Sequence, residues 1–414
     1  MSSILNRYIE KYKVSHPLIL QKPSPNLQMI VIIPAYNEPD IFATLNSLKK
    51  CKKPENNVEV IILINHTANT PLHIKEINRE VFNKIITDYS NSDTGKLQFC
   101  SILIEDMPQK HAGAGLARKT AMDEAIRRFA YINNDNGIII SLDADTFVSE
   151  NYLINIEKAF FNNSKLNCAI LNFKHLITAN TLPKEKNAII LYELYLHYFK
   201  QAMKYTGFPY AYHTIGSCFA VKASVYAKQG GMNKRQGGED FYFLHKIFPL
   251  GNTMELNSVT VYPSARVSDR VPFGTGPAVK EIIEQGDFLT YRFEYFTYLK
   301  NFFNTIESLY NANNDAIYAF YESLDISLKE FISDEEFLRK ITEINNNSAS
   351  LAKFKQRFYY WFDAFKVIKY LNFVHSKTER VSVVDAVKYY FTDIGIKEQP
   401  KTTEELLAAL RNIT

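Results

Sequence analysis

Two aspartates stand one residue apart, Asp143 and Asp145, directly after the apolar run from Ile138 to Leu142. Carboxylates this close repel each other unless a cation neutralises them. Hard divalent ions such as Mg2+ and Mn2+ take oxygen ligands, commonly one or two carboxylates plus the oxygens of a phosphate. Asp143 and Asp145 are therefore candidate metal ligands. The alternative is a plain pair of strand-end aspartates capping a helix at Thr146 to Ser149. A second acidic pair, Glu239 and Asp240, follows Gly237 and Gly238. A carboxylate at a helix start is favoured by the unpaired N–H groups there, and it is also a candidate proton acceptor. Arginines supply the opposite charge. Arg118 lies in "AGLARKT", and Arg266 and Arg270 lie in "SARVSDRVPFGTG". The latter two either close on a diphosphate or anionic acceptor or are solvated charges of a linker. His213, in "YHTIGS", either faces an acceptor or a metal or is simply hydrogen-bonded.

Such groups need strands that end together. "MIVIIPAYN", "VEVIILIN", "LQFCSILIED" and "GIIISLDAD" are short apolar runs rich in β-branched residues, as in strands buried on both faces. Helical patterns separate them. Asp40 opens one with Ile41, Leu45 and Leu48 on one face, and "AGLARKTAMDEAIRRFAYI" is another. Alternation of strand and helix predicts a largely parallel sheet with helices on both faces. Ligands bind such sheets beyond the carboxyl ends of the strands, where Asp143 and Asp145 fall. Ser149 is expected to cap a helix carrying Leu153, Ile156 and Phe160. "CAILNFKHLI" predicts a further strand and Lys184 to Tyr205 a long helix.

Composition shifts near residue 276. No proline occurs from Ala278 to Gln399, and aromatics are dense in "YRFEYFTYLKNFF" and "RFYYWFDAFKVIKYL". Ser333 with Glu336 and Thr402 with Glu405 read as capping boxes. This predicts a helical C-terminal subdomain whose aromatic stripes are core. "NNNSAS", at Asn345 to Ser350, reads as a surface loop. The expected division is 1–27 as an N-terminal extension, 28–276 as the α/β domain and 277–414 as the helical region.

Four segments in order, "VIIPAYNEPD", "KHAGAGLARK", "SLDAD" and "GGMNKRQGGEDFYFLHK", resemble the family 2 glycosyltransferases over roughly residues 28–250. The resemblance implies a Rossmann-like GT-A fold and transfer of a sugar from a nucleotide-diphosphate sugar to the hydroxyl of a saccharide or other acceptor. It implies that Pro34, Tyr36 and Glu38 lie at the donor site with Arg118 and Asp143. It makes Asp143 and Asp145 the D-x-D that holds Mg2+ or Mn2+, and Asp240 the catalytic base, with Glu239 orienting the loop or an acceptor hydroxyl. An inverting displacement follows from a base of that kind, and a UDP-sugar is the expected donor. Several positions depart from the pattern. Asn65 or His66 stands where the family often has a nucleobase-binding aspartate, and Lys119 replaces the usual asparagine. The Q-x-x-R-W segment of processive synthases is absent, which implies a non-processive enzyme. A nucleotidyltransferase is the nearest rival, but it would need glycines after the first strand, where "PAYNEPD" has none. A non-catalytic nucleotide-sugar-binding protein is the other.

The bulk numbers fit this. The chain has 414 residues, 46% hydrophobic and 22% charged, with a net charge of +4. That is an ordinary globular composition, too long for one simple core and too weakly basic for nucleic-acid binding. Cys51, Cys100, Cys168 and Cys218 are scattered, against a zinc site or a disulfide framework. The N-terminus lacks the apolar core of a signal peptide, and no stretch approaches the ~20 apolar residues of a membrane span. A cytoplasmic protein is expected, with peripheral membrane contact compatible with the composition.

Overall fold

The computed structural model describes residues 3–14, 16–90, 95–178, 181–235, 237–266, 274–398 and 400–413. The chain divides into two compact units. One comprises residues 1–181 and 214–278, the other 182–213 and 279–414.

The first unit opens with α1 (Ile4–Tyr12) and β1 (Leu27–Ala35), followed by α2 (Ile41–Lys49), β2 (Asn57–Asn65), α3 (Leu72–Ile85), β3 (Leu97–Ile104), α4 (Ala114–Tyr131) and β4 (Ile138–Ser141). A short β5 (Phe147–Val148), α5 (Tyr152–Asn162) and β6 (Cys168–Phe173) come next. Then α6 (Pro183–Tyr205) departs into the second unit, and the chain returns with β7 (Phe219–Lys222), α7 (Ala223–Lys228), α8 (Glu239–Ile247) and β8 (Thr253–Tyr262). Among the described residues the strands form an eight-stranded sheet in the order β3-β2-β1-β4-β7-β6-β8-β5. β3, β2, β1 and β4 are mutually parallel, and so are β6 and β8. β7 runs antiparallel to both its neighbours, and β5 runs antiparallel to β8. Val58 to Asn65 of β2 and all of β4 are buried on both alternations, so both sheet faces are covered. This is the fold class the resemblance implies.

The sheet places the carboxylates. β1 lies between β2 and β4, so the chain reverses its direction of travel across the sheet there, and the crevice of a doubly wound sheet opens at such a switch point. β4 pairs with β1 only as far as Ile32 opposite Ser141. Pro34, which has no N–H to give, falls beyond that last partner, where its loss breaks no ladder bond to β4. Glu38 follows β1 and Asp143 follows β4, both at the mouth of the crevice.

Local details differ from expectation at two points. The N-cap of α5 is Asn151, not Ser149. β5 pairs with β8 and draws Ser149 into that ladder, its N–H on the Thr260 carbonyl at 3.0 Å. Asp143 and Asp145 lie past the end of β4 in a turn, with the Thr146 N–H 3.3 Å from the Asp143 carbonyl.

The second unit contains α6, the remainder of α9 (Thr275–Gln285), β9 (Leu289–Thr290), α10 (Phe293–Thr305), α11 (Asn314–Glu322), α12 (Ile326–Phe331), α13 (Asp334–Asn346), α14 (Leu351–Trp361), α15 (Ala364–Val374), β10 (Val381–Ser382), α16 (Val383–Asp393) and α17 (Thr403–Asn412). Phe296, Phe302, Phe337, Phe358 and Phe362 are buried, so the aromatic stripes are core. Thr402 and Glu405 form a full capping box, and Ser333 caps α13. α13 runs through Asn346 and Ser350 caps α14, so the expected surface loop is shortened to residues 347–350. α6, read in sequence as part of the α/β domain, packs instead with this region. The reason is electrostatic as well as apolar: buried Glu193 accepts the Arg411 guanidinium of α17, with Nε at 2.8 Å. No helix among the described residues is long and apolar enough to cross a membrane.

Candidate active site

Arg118 is the centre of the site. It projects from the second turn of α4 and is 4% exposed. Its Nη2 donates to Asp143 Oδ1 at 2.9 Å and its Nε to Glu239 Oε1 at 3.3 Å. Its Nη1 donates to Ser141 Oγ at 2.7 Å and to the Gly216 carbonyl at 3.1 Å. Burial opposes the guanidinium charge, but Asp143, Glu239 and Asp240 more than offset it and hold its pKa above the usual arginine value. One side chain thus joins the end of β4, the start of α8 and the approach to β7.

α8 starts at Glu239 because Gly238, at φ +68°, takes the left-handed conformation that a side chain would disfavour. Asp240 falls in the first turn, where the free N–H groups favour an anion. Its Oδ1 accepts the Phe241 N–H at 2.7 Å. Burial first, then the neighbouring Glu239 charge, push its pKa up to about 7, against the opposing pull of Arg118. Gly216 lies at the tightest point. A Cβ there would stand 2.8 Å from Arg118 Nη2 and 3.3 Å from Asp240 Oδ2. Sequence reading missed both Ser141 and Gly216. Ser141 carried a signal only in its place two residues before Asp143, and Gly216 in being a glycine just ahead of a strand.

Asp145 belongs to a second cluster. Arg266, three residues beyond Pro263 at the end of β8, reaches back with Nη1 to Glu38 Oε1 at 2.9 Å and with Nη2 to Asp145 Oδ2 at 2.9 Å. Nη2 also meets Glu38 Oε2, so the pairing with Glu38 is bidentate. Glu38 is 4% exposed, and burial raises its pKa against the lowering effect of Arg266. Asp145 is pushed up to about 6, chiefly by burial and by the charge of Asp143. Thr44 of α2 steadies this turn by donating to the Ala144 carbonyl at 2.9 Å. Arg270, expected beside Arg266, lies outside the described residues.

The other expected site residues are placed as follows. Pro34 and Tyr36 are partly exposed at the end of β1 and just after it. Asn37, between Tyr36 and Glu38, adopts φ +51° and gives its N–H to Asn78 Oδ1 of α3 at 3.0 Å. Asn65 is 6% exposed, and its amide contacts Met107 Sδ at 3.3 Å. His66 beside it is buried against Asn78. His213 lies in the second unit with its ring against His197, and burial drives its pKa well below the usual value.

Fold and site together define an α/β protein that gathers acidic and guanidinium groups at a sheet switch point. No family model matches the chain, and no curated protein matches it. Solved structures similar to it include S. aureus TarS residues 1–349 in complex with UDP-GlcNAc, at 13% identity and a TM-score of 0.40, covering 81% of this chain and 91% of that one. The same TarS fragment with UDP gives 14% identity and a TM-score of 0.36 over the same shares.

Proposed function

We propose that this protein transfers a sugar, with inversion and without processivity, from a nucleotide-diphosphate sugar to an acceptor hydroxyl. The observation that carries this reading is the reach of Arg118. One guanidinium contacts both the D-x-D aspartate Asp143 and the Glu239 that precedes Asp240. The start of α8, which carries the candidate base, and the candidate diphosphate site are thereby tied to one side chain.

In this reading Asp240 takes the acceptor hydroxyl proton as the acceptor oxygen bonds to the anomeric carbon. The bond from that carbon to the diphosphate oxygen breaks, and the diphosphate leaves with the electron pair. A pKa of about 7 suits a base working near neutrality. Arg118 spends four of its five N–H groups on the protein, so its part is to fix Asp143 and the start of α8 rather than to bind donor. Arg266 is the cation nearer the surface. Its side chain is 35% exposed, and it stands beside Asp145 to meet donor phosphates.

A hard divalent ion fits this chemistry. Asp143 and Asp145 offer oxygen donors on side chains 37% and 30% exposed, and the two causes that raise the pKa of Asp145, burial first and the charge of Asp143 second, both disfavour a negative charge that a cation would stabilise. Among the described residues no group of three or more potential ligands is arranged to hold an ion alone. Phosphate oxygens of the donor would have to complete the shell, as is usual for Mg2+. When bound, the ion supplies Lewis-acid stabilisation of the departing diphosphate.

The test is a screen of nucleotides and nucleotide sugars, UDP-GlcNAc among them, by thermal shift with and without Mn2+, since a ligand of the native state raises apparent stability. Binding of UDP or a UDP-sugar is expected to strengthen with Mn2+ or Mg2+, and Asp145→Asn to remove that gain. Calorimetry giving equal affinity in excess chelator would refute the metal assignment. Arg266→Ala is expected to weaken donor binding about tenfold, the size of one charge-assisted contact. The same change should cost no more than ~1–3 kcal/mol of stability, because Glu38 can take up a proton. Unchanged affinity would reduce Arg266 to a brace between two loops.

A further inference from the structure

Lys119, the neighbour of Arg118, points the other way. Its Nζ donates to Asp123 Oδ2 at 2.8 Å and to the Tyr8 hydroxyl at 3.0 Å. Tyr8, on α1, is 3% exposed and donates in turn to Asp123 Oδ1 at 2.7 Å. Tyr226 of α7 donates to that same oxygen at 2.7 Å. The chain that leaves α7 presses on this cluster. A Cβ on Gly231, at φ +73°, would lie 2.2 Å from the Tyr8 hydroxyl and 3.0 Å from that of Tyr226. A Cβ on Gly230, at φ +74°, would lie 2.6 Å from the Tyr12 hydroxyl. The two glycines are there so that the tyrosines of α1 can approach the backbone.

From Gly231 the chain runs to Glu239 and Asp240. On the way the Arg235 carbonyl sits against Gly115, in the first turn of α4, only 2.0 Å from where a Cβ would be. Residues 231–235 therefore pack closely on α4 at Gly115 and on the Tyr8 hydroxyl, which Lys119 and Asp123 fix. Arg118 stands on the same helix between Gly115 and Asp123. The residues after α1 are fastened to α4 as well. Glu124 accepts the Leu18 and Ile19 N–H groups, and Arg128 Nη1 donates to the Gln21 carbonyl at 2.9 Å. What looked in sequence like an N-terminal extension is a splint along the helix that carries Arg118.

We propose that Tyr8 is a positioning residue: its hydroxyl, held by Lys119 and Asp123 against Gly231, sets residues 231–235 and so the placement of Asp240. The proposal rests on the reading of Asp240 as base. A base must sit within hydrogen-bond reach of the proton it takes, and a displacement of ~1 Å costs about 10²-fold in rate.

Tyr8→Phe tests it, because the ring keeps its packing on Tyr12 and Tyr226 and only the hydroxyl goes. Hydrolysis of UDP-GlcNAc with Mn2+ is the activity probe, and hydrogen exchange of the unliganded protein is the structural one. Turnover is expected to fall about 10-fold with KM within about 2-fold, as for loss of a group that acts only in the transition state. Amide exchange should quicken in 231–241 and not in the sheet. Gly231→Ala, which pushes on the same hydroxyl from the other side, should reproduce both effects. Unchanged exchange in 231–241 overturns the proposal, as does a loss of turnover accompanied by faster exchange throughout the molecule. Faster exchange confined to 231–241, in a protein that neither binds nor hydrolyses nucleotide sugars, upholds the link to Tyr8 and overturns the transfer reading instead.

Discussion

Asp240→Asn is expected to lower turnover about 10²–10⁴-fold while leaving donor affinity nearly unchanged, the signature of a lost general base. The asparagine keeps the shape and can still accept the Phe241 N–H that Asp240 Oδ1 now takes. It cannot accept the acceptor proton. Stability should move the other way. The folded pKa of Asp240 is raised to about 7 by burial and Glu239, so folding disfavours its charge. The native state then holds more protons than the unfolded chain between the usual carboxylate range and about 7, and this group's contribution falls as pH rises through that window. Asparagine never charges. The variant should therefore melt at or above the wild-type temperature at pH 8, with the difference shrinking as the pH falls towards 4. Wild-type turnover should rise with pH and level off above about 7. Thermal melts and initial rates across pH 5 to 9 decide the matter. Near-normal turnover, or a product keeping the donor's anomeric configuration, would remove Asp240 from the role of base in an inverting displacement.

Arg118→Ala carries the largest expected cost in stability, about 3–5 kcal/mol, the range for removing one partner of a buried ion pair. Asp143, Glu239 and Asp240 would lose the positive charge at their centre, and the Ser141 hydroxyl and the Gly216 carbonyl would lose a donor. Against a typical total of ~5–15 kcal/mol this is a large fraction. Arg118→Lys keeps the charge but not the planar fork that reaches four acceptors, so it should recover only part of the loss. Urea unfolding of the three proteins separates these expectations. A loss below ~1 kcal/mol in the alanine variant would mean that the carboxylates are neutralised from elsewhere.

The strands and the end of β4 were legible in the sequence. Four apolar, β-branched runs between helical patterns allow little but a buried parallel sheet, because such runs cannot face water and parallel strands need crossovers. The start of α8 was legible too, since glycines followed by Glu239 and Asp240 before a periodic apolar run mark a helix entry. The aromatic stripes of the second unit read correctly as core because large aromatic side chains are usually buried. All of these are local patterns, fixed by the bond geometry of neighbouring residues.

Tertiary structure alone decided how the charged groups pair. Arg118 looks in sequence like one more cation on an amphipathic helix, but α4 is covered along most of its circumference, which makes this arginine a buried hub. Arg266 and Glu38 meet across 228 positions, and Tyr8 and Asp123 across 115. α6 joined the helical unit by burying Ile189, Leu194 and Tyr198 there and pairing Glu193 with Arg411, 218 residues on. No periodicity encodes such partners. A charged side chain carries the same local signal whether it ends in solvent or in a buried pair, and only the closure of the intervening chain brings the opposite charge within 3 Å.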